Sequence, residues 1–174
     1  MVKMETLSIP MQYTEIMGKV QTLKEPKILK RILSFRAPEI PKRIAQKANI
    51  SIGEAEKLFT ETLKYLYICR QARKIKIPIS PSIVIDDSWH NFILFTKKYA
   101  QFCEEYVVEF IHYIPDTGNS NPERYIISRN IAQSLLEYLD PAIWPEISVS
   151  ADCSVCQSIP PCSECQPPCS SDDN

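Results

Sequence analysis

The chain has 174 residues, of which 44% are hydrophobic, so it can build the core of one globular domain and is too apolar to be disordered throughout. Its net charge of −1 at pH 7 argues against a protein that binds nucleic acid through its overall charge. The longest uncharged run of the body, residues 77–85, contains two prolines and is far too short to span a membrane. The N-terminus lacks the apolar stretch of a secretory signal, so we expect a cytoplasmic protein with reduced thiols that binds neither nucleic acid nor membrane.

The charge is distributed unevenly along the chain. Residues 1–50 hold ten Lys and Arg against four Asp and Glu. From residue 150 onward there is no basic residue, and four acids occur: Asp152, Glu164, Asp172 and Asp173. We interpret these two regions as a solvated basic face and an acidic tail, in preference to an RNA or membrane patch.

Helical spacing dominates the N-terminal part of the chain, and three glycines leave little material for tight hairpins. A helical pattern covers residues 19–35, where Pro26 is expected to break or restart the helix. Residues 41–48 form a short second candidate. Together these patterns predict an all-α fold.

The clearest predicted helix begins after Ser51. Ser51 and Glu54 have the spacing of a capping box, in which each side chain accepts a hydrogen bond from the other residue's backbone N–H. One buried stripe then recurs at helical steps: Ala55, Leu58, Phe59, Thr62, Leu66 and Cys69. Cys69 is therefore interpreted as a packed free thiol, and the basic residues that follow it suit the negative end of the helix dipole.

Residues 76–83 are predicted to be extended, because each of two prolines disfavours helix at the residue before it. Ser82 can cap a helix over residues 84–97. A second helix, or a bent continuation, is predicted from an apolar face that runs on to Ile111: Tyr99, Phe102, Cys103, Tyr106, Val107, Phe110 and Ile111. After a loop, Pro122 is placed as a first helical residue, and the last stripe runs to Leu139 before Pro141.

These patterns predict a compact domain of about five to six helices over residues 1–147. From residue 148 the composition changes to cysteine, proline and serine with almost no large apolar side chain. Such a segment cannot bury enough surface to offset its chain entropy, so residues 148–174 are predicted to be a disordered cysteine-rich tail unless something ligates them.

The middle of the chain resembles the glycine-rich domain-containing protein family, in particular its short bacterial members that consist of the helical unit alone. The elements that carry the resemblance follow in order: residues 63–69, Pro81-Ser82, Asp86-x-x-Trp89-His90, Tyr99-x-x-Phe102-Cys103, Phe110-Ile111-His112 and Ala142-Ile143-Trp144-Pro145. The resemblance covers about half of the chain and implies a helical fold. Val108 stands where that family usually has glycine, and Tyr113 stands where it often has a second histidine.

Four residues of this region could bind a metal. Asp86 and His90 are four residues apart, so they share one face of a helix, and Cys103 and His112 could meet them if two helices pair. A His, Cys, His set with a carboxylate suits zinc, with copper or iron as alternatives. The alternative is structural: Asp86 caps a helix, Trp89 anchors the core, and Cys103 is an ordinary buried cysteine. A catalytic thiol–imidazole pair is disfavoured because Cys103 falls on the buried stripe.

The tail carries a second set of candidate ligands. Five cysteines form two Cys-x-x-Cys pairs and a fifth thiol: Cys153, Cys156, Cys162, Cys165 and Cys169. A Cys-x-x-Cys pair can place two thiolates on one ion, so this segment could hold zinc or Cu(I), or its thiols could be inert.

From the residues we therefore expect a metal- or thiol-binding accessory protein rather than an enzyme. The alternative is a helical module that binds another protein and whose Asp-x-x-Trp-His element is structural.

Overall fold

The computed structural model describes residues 11–114 and 122–147, and these residues form helices and no strands. Seven α-helices follow in chain order: α1 (Met11–Thr22), α2 (Pro26–Leu33), α3 (Glu39–Ala48), α4 (Ile52–Lys74), α5 (Ile83–Ile93), α6 (Thr96–Phe102) and α7 (Pro122–Leu135). A π-helical turn, Cys103–Val107, continues α6. The all-α prediction is confirmed. The predicted boundary between a domain (1–147) and a tail (148–174) stays a prediction, because the tail lies outside the described residues.

Helix α4 is the centre of the fold. It is 23 residues long, and α2, α3, α5 and α7 all pack against it. The capping box that begins it is confirmed: the Ser51 hydroxyl accepts from the Glu54 backbone N–H at 3.2 Å, and Glu54 Oε2 accepts from the Ser51 N–H at 2.9 Å. The predicted stripe is buried as expected, but so are residues on other faces, such as Tyr67 and Gln71, because helices surround α4 on several sides.

Proline marks the helix starts that the sequence predicts. Pro26 is the first residue of α2 and separates it from α1, and Pro122 is the first residue of α7. Both positions suit proline because the first turn of a helix has no intrahelical use for a backbone N–H.

The predicted helix through Ile111 is wrong at its end. Helix α5 ends at Ile93 and α6 begins at Thr96, so the helix is interrupted at residues 94–95. Regular helix then ends at Phe102, and the π-helical turn closes at Val108, whose φ of 77° lies in the left-handed region. Val108 and Glu109 form a bend, and residues 110–114 belong to no helix, so Phe110 is 43% exposed and does not lie on a buried helical stripe.

The residues that follow α7 pack back onto α4. Helix α7 ends at Leu135, before the predicted stripe is complete, and Tyr138 is exposed. Trp144 is fully buried, and its indole N–H donates to Glu61 Oε2 of α4 at 2.8 Å. A single apolar cluster thus extends from Val20 in α1 to Trp144. None of the helices in the described ranges is long and apolar enough to cross a lipid bilayer.

Candidate functional site

The Asp-x-x-Trp-His element lies on α5, which Ser82 caps. The Ser82 hydroxyl accepts from the Ile85 backbone N–H at 3.2 Å and donates to the Ile143 carbonyl at 2.7 Å. This cap starts the helix so that Ile85 and Trp89 face the core, while His90 is exposed. Helical spacing therefore separates the two neighbours of the motif: the tryptophan points inward and the histidine outward.

Trp89 is a core residue, as the structural interpretation predicts. It is 5% exposed, and its ring centroid lies 5.7 Å from that of Tyr65. The indole N–H donates to the Tyr99 hydroxyl at 3.1 Å, and that hydroxyl donates to the Ile111 carbonyl at 2.7 Å. A buried tryptophan needs a hydrogen-bond acceptor for its N–H. The Tyr99 hydroxyl is that acceptor, and its own donation to Ile111 connects Trp89 to the segment that follows the π-helical turn.

Cys103 is buried at the start of the π-helical turn. Burial raises the pKa of its thiol, although the backbone of Ile111 and the Tyr99 hydroxyl partly stabilise the thiolate. Burial likewise raises the pKa of Cys69 to about 12. Because a thiolate is the form that attacks substrates and binds metals, neither thiol has the properties of a nucleophile.

Asp86 interacts with Tyr113, which is one of the two departures from the resembling family. The Tyr113 hydroxyl donates to Asp86 Oδ2 at 2.8 Å. The Tyr113 ring also lies edge-on to Trp89 at a centroid distance of 5.2 Å and contacts the His90 ring at 5.6 Å. Tyr113 therefore joins all three residues of the motif to the segment that follows the π-helical turn.

The predicted metal site of the body is not assembled as a ligand cluster. Over residues 11–114 and 122–147, no three His, Cys, Asp or Glu side chains are grouped so that they could hold a metal ion. Cys103 is buried, whereas His90 and His112 are exposed, and the His112 ring lies 4.9 Å from that of Phe110. The tail cysteines Cys153, Cys156, Cys162, Cys165 and Cys169 lie outside the described residues.

The segment 108–114, here called the presented segment, is the feature that sequence reasoning missed. Val108 and Glu109 are both exposed, and the side chains then alternate: Phe110, His112 and Ile114 are exposed, Ile111 is buried and Tyr113 is half-buried. Period-two alternation is the signature of an extended chain with one face on a core. The sequence does not show that alternation, because Phe110 and Ile114 are apolar although exposed, and the helical period of the preceding residues continues through Phe110 and Ile111.

Arg73, near the end of α4, holds the start of the presented segment. Its guanidinium donates to the carbonyls of Glu109 at 3.4 Å and Phe110 at 3.2 Å. Tyr99, Tyr113 and Arg73 thus fix a segment that forms no regular hydrogen-bond ladder of its own.

A second polar cluster lies beside Arg73 and was also missed. The Glu25 carboxylate, just before α2, accepts from Arg70, Lys74 and Gln71 of α4, the last at 2.9 Å. The hydrogen bond from Lys74, supported by those from Gln71 and Arg70, lowers the pKa of Glu25 to about 2. Sequence reasoning assigned the cations at the end of α4 to the helix dipole alone, but two of them also tie α2 to α4.

One comparison with known proteins identifies a relationship. No curated protein and no solved structure matches the chain. A family model described as UCP032817-like matches residues 28–125, which run from α2 into α7 and include the motif, the presented segment and both buried cysteines. Since this match covers more than half of the 174 residues, the chain belongs to the UCP032817-like family.

Proposed function

We propose that this protein is a cytoplasmic, non-enzymatic helical module that binds a partner protein through the presented segment. The polar groups of the motif support a structural role, because Trp89 donates to Tyr99, Tyr99 donates to the Ile111 carbonyl, and Asp86 accepts from Tyr113. The raised pKa values of the two buried thiols weigh against covalent catalysis.

One observation carries the proposal: three apolar side chains are exposed on a segment that is otherwise firmly anchored. Val108 is 76% exposed, Phe110 43% and Ile114 84%. The Tyr113 bond to Asp86 brings the end of the segment to the first turn of α5, where Ile83 is also exposed. Contiguous exposed apolar side chains with a polar surround mark interaction sites, and a rigid extended segment binds with little loss of entropy. The partner is expected to contribute apolar side chains of its own.

Site-specific photocrosslinking tests this proposal. A benzoylphenylalanine at position 110 is compared with one at position 138, because Tyr138 is an aromatic residue that is more exposed, at 64%, than Phe110. Tyr138 lies two residues before Asp140, which pairs with Lys57 near the start of α4, whereas the Phe110 carbonyl accepts from Arg73 near the end of α4. Those two positions of α4 are 16 residues, or about 24 Å, apart.

A defined partner protein is expected to crosslink at position 110 and not at 138. The crosslink should be lost when Val108 and Ile114 are both replaced by Asp. Equal crosslinking at both positions, or none at 110 in cells that produce the protein, would refute the proposed surface.

The spacing of the tail cysteines favours a second candidate function, binding of zinc or Cu(I) as a metal- or thiol-binding accessory protein. Two Cys-x-x-Cys pairs provide four thiolates, the number that tetrahedral zinc needs. Metal content of the full chain should fall when all five tail cysteines become Ser and should persist in Cys69→Ser/Cys103→Ser. Absence of metal from both proteins under reducing, metal-replete conditions would exclude this function.

We also propose that the helical unit is shared with the glycine-rich domain-containing protein family. The residues that carry this resemblance from Asp86 to His112 all lie within the range matched by the UCP032817-like family.

A further inference from the structure

Four exposed lysines surround the Glu25 cluster. Lys24 and Lys27 flank Glu25, Lys30 follows one turn later, and Lys76 lies just beyond Lys74. None of the four has an ion-pair partner among the residues that the structure describes. The acid at the centre cannot neutralise them, because Arg70 and Lys74 already occupy its carboxylate. The surface at the start of α2 and the end of α4 therefore has excess positive charge.

This basic surface adjoins the presented segment. Arg73, whose neighbour Lys74 contacts Glu25, donates to the carbonyls of Glu109 and Phe110. Helix α2 also packs against the π-helical turn, where the Arg31 guanidinium lies 5.6 Å from the centre of the Tyr106 ring. The exposed apolar side chains and the four lysines, which have no ion-pair partner among the described residues, thus lie on elements that Arg73 and Arg31 connect.

We infer that this region binds an acidic peptide segment of a partner protein, with apolar side chains of the peptide on Val108 and Phe110 and its carboxylates on Lys24, Lys27, Lys30 and Lys76. The inference rests on the proposed function and specifies the chemistry of its partner. Charge complementarity of this kind selects partners and raises association rates.

A peptide fits this region better than the two other common polyanions. The apolar side of α2 is packed into the core, where Ile32 is fully buried, so α2 has no free apolar face to insert into a lipid surface. Three exposed acids, Glu104 and Glu105 before the presented segment and Glu109 within it, would repel a continuous phosphate backbone, although Glu105 pairs with Arg31 and Glu109 with Arg73. A peptide can place single carboxylates opposite the lysines and leave the acids opposite neutral residues.

Fluorescence anisotropy with a defined probe tests the inference. The probe is a labelled peptide of Glu interspersed with Leu and Phe, and its control carries Lys in place of every Glu. The full-length protein is compared with Lys24→Glu/Lys27→Glu and with Lys42→Glu/Lys47→Glu. The second pair is a matched control, because both lysines are exposed on α3 and have no ion-pair partner among the described residues.

The acidic probe is expected to bind more tightly than the control peptide, and its binding should weaken with salt because exposed charges are screened. Affinity should fall about tenfold in Lys24→Glu/Lys27→Glu and little in the α3 variant. Phe110→Ala should weaken binding as well. The thermal unfolding temperature of each variant should equal that of the unmodified protein, which would show that the loss of affinity is not caused by misfolding.

Three results would overturn the inference. The first is an equal loss in both lysine variants, which would indicate nonspecific attraction. The second is tighter binding of a single-stranded RNA or of phosphatidylserine vesicles than of the peptide. The third is binding that depends on Phe110 but not on Lys24 and Lys27, in which case the proposed function survives and only the acidic partner is wrong.

Discussion

The hydroxyl of Tyr113 lies 2.8 Å from Oδ2 of Asp86, across 27 residues of sequence. This bond joins the first turn of α5 to the far end of the presented segment. The motif is therefore best understood as an anchor for residues 108–114.

Tyr113→Phe should lower the free energy of unfolding by about 1 kcal/mol, because it removes one hydrogen bond to a carboxylate and keeps the ring contacts with Trp89 and His90. Urea denaturation measures the change. Tyr138→Phe serves as the control, since Tyr138 is exposed. Equal stability of the two variants would mean that the Asp86 bond contributes nothing measurable.

Val108→Gly should stabilise the protein by about 1 kcal/mol. Val108 has a φ of 77°, a conformation that a β-branched residue rarely adopts and that glycine adopts freely. Glycine raises the conformational entropy of the unfolded chain and so favours unfolding, but we expect the relief of backbone strain in the folded protein to be larger. Glu109→Gly is the control and should destabilise, because Glu109 has no positive φ to relieve. Destabilisation by both variants would show that Val108 is not strained.

Trp144→Phe should destabilise the fold by about 2 kcal/mol, because the buried Glu61 carboxylate loses the indole N–H that donates to it. A double-mutant cycle with Glu61→Ala, which leaves no acceptor for the indole N–H, isolates this bond from the change in packing. Strictly additive losses in the cycle would show that the two side chains are not coupled.

Stability should fall with acid through Glu25. Its folded pKa of about 2 is below the usual 4.5, so protonation favours the unfolded chain. The contribution of Glu25 is complete above pH 4.5 and is lost as the pH falls toward 2. The difference in unfolding free energy between the unmodified protein and Glu25→Gln should shrink over that interval. A difference that is constant with pH would contradict the assigned interactions with Lys74, Gln71 and Arg70.

Cys69 and Cys103 should not react with an alkylating reagent in the native protein and should react after denaturation, because both thiols are buried and have raised pKa values. Peptide mass spectrometry locates the modified residues. Rapid native modification of Cys103 would revive the catalytic interpretation of this region.

Local rules explain which parts of the fold the sequence predicts correctly. The capping box of Ser51 and Glu54 and the first-turn prolines Pro26 and Pro122 depend on neighbouring residues only, so they can be recognised without a structure. The end of α6 depends on distant residues. The apolar period continues past Phe102, but Arg73 and Tyr99 bind the carbonyls of residues 109–111 and favour an extended chain there.

The candidate site was less predictable for the same reason. Residue types and spacing suggest a metal set from Asp86, His90, Cys103 and His112, but they carry no information on which side chains face the core. The bond between Asp86 and Tyr113 and the cluster around Glu25 join residues 27 to 49 positions apart. Of the two departures from the resembling family, Tyr113 supplies one of these bonds, and Val108 marks the residue at which the backbone leaves the helix.

The burial of Trp144 against Glu61 also affects how the protein is made. The two residues are 83 positions apart, so a ribosome that adds ~5–20 residues per second needs roughly 4 to 17 seconds to deliver the tryptophan after the glutamate. Until Trp144 is made, the Glu61 carboxylate on α4 lacks the indole N–H that donates to it in the folded protein, although the residues of α7 have already been added. We expect nascent chains that end before residue 144 to be the form most in need of a chaperone.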